Sequence, residues 1–128
     1  MVADCGYTSA WDEFAYQLNK LFGLPAFPML NIANLITKIR AGYWINESSP
    51  INQTSKSKTP TLFIHSDEDY RCPLCEGLQM LNALLDQNIE ARMCLFHGEN
   101  HDLSRTGLPQ HRLRCLNEIT NWMEKHLK

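Results

Sequence analysis

Two short stretches concentrate the residues able to move protons. "SDEDYRCP", residues 66–73, follows the apolar run "TPTLFIH", and "HGENHDLSR", residues 97–105, follows "ARMCLF". A carboxylate that holds one nitrogen of an imidazole leaves the other nitrogen free to take a proton from a hydroxyl and return it to a leaving group. An acid and a histidine on two such loops could therefore be the acid–base half of a nucleophilic hydrolase. By residue type alone, His101 could equally be a metal ligand or a polar residue closing a loop. His97 and His101 have i, i+4 spacing, but Gly98 and Asn100 between them favour a turn, where that spacing does not put two imidazoles on one face. Cys72 and Cys75 form a C-x-x-C with no second such pair to complete a zinc site, and they do not stand where a thioredoxin-like redox pair would. Both thiols are expected to pack on a helix face, and no metal or cofactor is expected.

The elements that must position these loops follow from hydrophobic periodicity. "MVADCG" is a short apolar run closed by Gly6, a strand. From Ser9, "SAWDEFAYQLNKLFG" puts Trp11, Phe14, Ala15, Leu18, Leu21 and Phe22 on one helical face before Gly23 and Pro25 end it. Leu30, Ala33, Ile36 and Ile39 are in register for a second helix over about 28–40. Ser49 and Pro50 suit the first positions of a short helical turn. The unalternating run 60–65 is how a strand buried on both faces of a parallel sheet looks. Leu74, Leu78, Leu81, Leu84 and Leu85 then mark a helix, 91–96 a strand, and Leu113, Leu116, Ile119, Trp122 and Met123 the stripe of a last helix. Strand, helix, strand, helix predicts an α/β layer architecture with parallel pairing. In such sheets functional groups collect past the carboxyl ends of the strands, which places both loops on one edge.

At these residues a family resemblance enters. "TPTLFIHSDEDYRCP" followed by "FHGENHDLSR" is similar to the C-terminal part of an α/β-hydrolase domain. Residues 59–128 resemble the acylaminoacyl-peptidase branch of the prolyl oligopeptidase family, whereas residues 2–58 resemble the strand and lid helices of bacterial single-domain α/β hydrolases. The resemblance implies Asp69 as the triad acid and His101 as the triad histidine. It implies a partial α/β-hydrolase fold: a short, mostly parallel three-stranded sheet flanked by helices, with a helical lid-like segment near the N-terminus. The expected organisation is a single truncated domain over 1–128, split into a first strand plus lid-like helices at 1–58 and a strand–helix–strand–helix unit at 59–128.

The same family places its nucleophile on a sharp Gly-x-Ser-x-Gly turn, with an oxyanion hole beside it. None of Gly6, Gly23, Gly42, Gly77, Gly98 and Gly107 is followed two residues later by serine or cysteine. The expectation is a serine hydrolase fragment of peptidase or esterase type, retaining acid and base and inactive alone, with a peptide or ester substrate only if the missing half is supplied. The alternative is a non-catalytic α/β module that binds a partner or itself. Trp11, Phe14, Phe22 and Phe27 are individually expected in the core, yet lid helices without a catalytic partner would expose apolar surface. With the unpaired edge of the first strand, this predicts a homo-oligomer.

Composition narrows the rest. With 128 residues the chain fits one domain; 44% hydrophobic and 20% charged residues are ordinary globular values, and a net charge of −2 gives no reason to expect nucleic acid or an anionic membrane as partner. No apolar run approaches the roughly eighteen residues of a membrane span. Five cysteines, Cys5, Cys72, Cys75, Cys94 and Cys115, are an odd number scattered through apolar patterns, which favours reduced thiols and the cytoplasm.

Overall fold

A computed structural model describes residues 1–127. Three strands, β1 (Val2–Asp4), β2 (Thr61–Ser66) and β3 (Ala91–Phe96), form one sheet in the order β1-β2-β3. Both pairings are parallel, with Ala3 opposite Phe63 and Ile64 opposite Cys94. Before β2 come α1 (Ala10–Phe22), α2 (Ala26–Ala41) and the short α3 (Pro50–Gln53). After it come α4 (Leu74–Leu85), the one-turn α5 (Leu103–Thr106) and α6 (Pro109–His126).

Local chemistry sets these boundaries. The Ser9 side chain accepts the Asp12 N–H at the start of α1, and Gly23 closes that helix in the left-handed region at φ 64°, a backbone state that carries no steric cost for glycine. The second helix is interrupted at Phe27 (φ −88°, ψ 135°), because the residue before a proline is pushed out of the helical region. Its regular part therefore begins at Pro28, as the periodicity predicts. Ser49 and Pro50 do stand at the N-cap and first position of α3.

The central strand carries the core. Every residue of β2 is buried, and its side chains alternate between two apolar clusters. Leu62 and Ile64 pack with Cys94, Phe96, Leu103, Cys115 and Trp122 beneath α6, while Phe63 packs with Met80 and Leu84 beneath α4. Burying each of these large side chains stabilises the fold by about 1.5–3 kcal/mol. Gly77 has a specific role on the α4 side: a Cβ there would lie 2.9 Å from Cδ2 of His65, so only glycine lets the helix close over that imidazole.

The expected helix stripes are partly wrong. In α6 the buried residues are Cys115 and Trp122, with Ile119 packed against them, while Leu113 and Leu116 are each 62% exposed. In α4, Gly77, Met80 and Leu84 face the sheet, and Leu78 and Leu85 face outward. The expected Leu81, Leu84, Ile119 and Trp122 do pack on the sheet, but Leu78, Leu85, Leu113 and Leu116 do not, because Gly77, Met80 and Cys115 take the remaining sheet-facing positions. Helix α1 buries none of its residues fully, and α2 only Leu30. Phe14, Phe22 and Phe27 are exposed and Trp11 is only half-buried, which corrects their individual placement in the core.

Candidate active site

The carboxyl ends of β2 and β3 release the two loops side by side. They are stitched together by the Asp67 N–H, which donates to the Phe96 carbonyl, and the Glu68 N–H, which donates to the Glu99 carbonyl, both at 3.1 Å. Across this seam lie two parallel pairs: His97 Nδ1 is 2.8 Å from Asp67 Oδ2, and His101 Nδ1 is 2.9 Å from Asp69 Oδ2. The structure thus brings the two expected site residues, Asp69 and His101, into direct contact. The pairs differ in environment. Asp67 and His97 are exposed, whereas Asp69 is buried and His101 half-buried.

Asp69 is fixed on both oxygens. Its Oδ1 accepts the N–H groups of Arg71 and Cys72, each at 2.9 Å, while Oδ2 faces His101. Burial pushes its carboxyl up. The Cys72 amide, the Cys5 thiol, His101 and the Arg71 amide, all stabilising the anion, outweigh that effect and hold Asp69 below the ordinary aspartate range. Asp69 is therefore an ionised acceptor at neutral pH. In contact with Nδ1, it favours the imidazole tautomer with the proton on Nδ1 and the lone pair on Nε2.

His101 borders a cleft of about 910 Å³ whose far wall is α1, with Glu13, Gln17 and Lys20 facing Tyr70 and Arg71. Helix and acid loop are joined there. Lys20 Nζ donates to the Tyr70 carbonyl at 2.7 Å, the Tyr16 hydroxyl donates to the same oxygen, and Gln17 donates to the Arg71 carbonyl. Burial raises the Glu13 carboxyl above its usual range; the Gln17 amide pulls the other way, and Glu76 and Asp69 add to the rise. A smaller cavity of about 310 Å³ against α6, walled by Leu113, Leu116 and Ile119, contains no histidine.

A buried carboxylate underpins the histidine loop. Glu99 is 6% exposed, and its Oε1 accepts the Leu108 N–H and meets His111 Nδ1 at 2.7 Å. Sequence reasoning passed over Glu99, although a carboxylate two residues before His101 in a glycine-containing turn was a usable signal. It also passed over the Asp67–His97 pair, whose members precede Asp69 and His101 in the same two loops. Cys72 is buried with its thiol on the Gly6 carbonyl, and burial first, then Glu13 and Asp69, push it up to about 12. Cys75, by contrast, is exposed, so only one of the two thiols packs as expected.

A family model described as the prolyl oligopeptidase family matches residues 34–128. The acylamino-acid-releasing enzyme of Arabidopsis thaliana is 36% identical over 83 residues, covering 65% of this chain and 10% of that protein. The uncharacterized peptidase YuxL of Bacillus subtilis is 36% identical over 81 residues, covering 63% of this chain and 12% of that protein. The acylaminoacyl peptidase of Pyrococcus horikoshii superposes with a TM-score of 0.76 at 26% identity, covering 99% of this chain and 20% of that one. The chain thus spans only a minor part of the length of each of these relatives.

Proposed function

The chain belongs to the prolyl oligopeptidase family, as part of an α/β-hydrolase fold, and from that premise we propose that Asp69 and His101 are the acid and base of a serine-hydrolase relay acting on peptide or ester bonds. The Asp69–His101 contact, 2.9 Å long and buried on the acid side, is the observation that carries this role. Asp69 holds Nδ1–H, orients the ring and stabilises the imidazolium that forms when Nε2 accepts the nucleophile's proton; Nε2–H then protonates the leaving group.

The 128 residues contain no Gly-x-Ser-x-Gly, so the hydroxyl and the oxyanion donors come from polypeptide outside this sequence. Without the nucleophile a serine hydrolase loses about a millionfold in rate, and the isolated chain is inactive. The cleft between α1 and the acid loop receives the substrate, whose chemistry is that of an acylated or unblocked peptide, or an ester. Free, buried Cys72, Cys94 and Cys115 suit a reducing compartment, which favours the cytoplasm.

Fluorophosphonate labelling tests this role. The chain alone is expected to remain unlabelled. Fused behind a hydrolase half that carries the nucleophile turn, and verified as folded by circular dichroism, it labels, whereas its His101→Ala form labels at least a hundredfold more slowly. Equal labelling of the two folded fusions would overturn the role of His101, and labelling of the isolated chain would overturn its inactivity.

The apolar face of α1 and α2 supports a second role. Phe22, Phe27 and Ile39 are 69%, 74% and 75% exposed, and β1 lies at the edge of the sheet. Together they favour self-association of this chain. Sedimentation at high micromolar concentration should give a species larger than a monomer; a strictly monomeric boundary would contradict it.

A further inference from the structure

His65 takes no part in the relay, yet it is 1% exposed and neither of its ring nitrogens has a hydrogen-bond partner. A buried imidazole left without partners is costly, so the feature calls for an occupant. Its Nδ1 lies 3.8 Å from Asp69 Oδ2, while the Cδ2 edge of the ring faces Gly77 of α4. Directly beside it, Cys5 follows β1 with φ 49°, in the left-handed region that a non-glycine residue seldom adopts. The Cys5 thiol, a ring nitrogen of His65 and a carboxylate oxygen of Asp69 all lie within 4.8 Å of one another.

We propose that Cys5, His65 and Asp69 bind a thiophilic divalent cation of the zinc type, and that the bound ion takes Asp69 from His101 and switches the relay off. The donor set is one sulfur, one imidazole nitrogen and one carboxylate oxygen, the mixture that borderline-soft Zn2+ accepts, with a fourth position left for water. Bond lengths to zinc of about 2.0–2.3 Å require the three donors to close by roughly an ångström. The Cys5 thiol gives up its proton to solvent as the Zn–S bond forms, and His65 coordinates as the neutral ring.

Access runs through the substrate cleft, because Cys5 lines both it and an adjoining cavity of about 260 Å³ that also reaches His101. Competition follows from the shared atom. Asp69 Oδ2 is the oxygen nearest to both His101 Nδ1 and His65 Nδ1, so an ion on that oxygen removes the acceptor that holds the base in its working tautomer. The three ligands come from the end of β1, the end of β2 and the acid loop, which is why no C-x-x-C or H-x-x-x-H spacing announces them. Binding is independent of the hydrolase role; only the switch rests on it.

Cobalt(II) titration of the full 128-residue chain under reducing conditions tests the site. One equivalent is expected to produce a thiolate-to-cobalt charge-transfer band that zinc abolishes by displacement. Cys5→Ser, a near-isosteric change, removes the band and weakens zinc binding at least tenfold, whereas Cys75→Ser and His101→Ala retain both. Absence of the band from the folded wild-type chain, or its persistence in Cys5→Ser, overturns the site. In the fusion that reacts with fluorophosphonate, saturating zinc should slow labelling at least tenfold, and Cys5→Ser should escape this inhibition. Undiminished labelling of a zinc-loaded fusion overturns the switch while leaving the hydrolase role intact, whereas loss of that role leaves the cobalt band unchanged.

Discussion

Replacing Asp69 separates two functions that one carboxylate performs. The side chain satisfies three donors at 2.9 Å: the Arg71 and Cys72 amides on Oδ1, and His101 Nδ1 on Oδ2. Because it is 4% exposed, water cannot readily replace it. Asp69→Ala leaves all three donors without a partner, and removal of one member of a buried charged pair typically costs about 3–5 kcal/mol. Asp69→Asn keeps a carbonyl oxygen for the two amides and loses mainly the His101 interaction, so about 1–2 kcal/mol is expected. Urea unfolding of the 128-residue chain near pH 7 measures both. The folded-state pKa of Asp69 lies below its unfolded value, so its contribution is complete above the unfolded pKa and disappears as pH falls through the folded one. The gap between wild type and Asp69→Asn should therefore narrow in acid. Equal costs for Asn and Ala, or a gap that widens with acidification, would refute the assignment of Oδ1 and Oδ2.

Other parts of the fold give sharp contrasts. Trp122→Ala should destabilise by about 3–5 kcal/mol, because its side chain is buried against the β2–β3 core, while Leu116→Ala, on the exposed face, should change stability by no more than about 0.5 kcal/mol; thermal or urea unfolding checks the pair. Gly77→Ala places a Cβ 2.9 Å from His65 and 3.2 Å from Met93 Cε, and the overpacking should outweigh the helix-propensity gain of about 1 kcal/mol, lowering the unfolding midpoint. Maleimide at neutral pH, followed by mass spectrometry, should modify exposed Cys75 rapidly and spare buried Cys72, Cys94 and Cys115 until denaturant is added; burial also pushes all three protected thiols upward, so little reactive thiolate is present.

Those elements were legible in the sequence where a local rule suffices. Unbroken apolar character identified β2 as a strand buried on both faces, Ser9 and Gly23 bracketed α1, and Pro28 marked the regular start of α2. Strand ends placed an acidic loop and a histidine loop on one edge of the sheet, but the choice of Asp69 over Asp67 and Glu68, and of His101, rested on the family resemblance. Helix faces were legible only in part: Leu81, Leu84, Ile119 and Trp122 pack as expected, while Gly77 and Cys115 fill sheet-facing positions and Leu78, Leu85, Leu113 and Leu116 point away. His65 and Cys5 were equally invisible. His65 reads as one more member of a strand, and its proximity to Cys5 depends on β1 pairing with β2 across more than fifty intervening residues of chain.

The tautomer of His101 tests the central claim most directly. Two-bond 15N–1H spectra of the 128-residue chain at neutral pH distinguish a protonated ring nitrogen from a bare one, without any need for the nucleophile. Asp69 as orienting acid predicts the proton on Nδ1 and a free lone pair on Nε2, with Asp69→Asn shifting the proton to Nε2. A wild-type ring protonated on Nε2 alone, or a tautomer indifferent to residue 69, would contradict it.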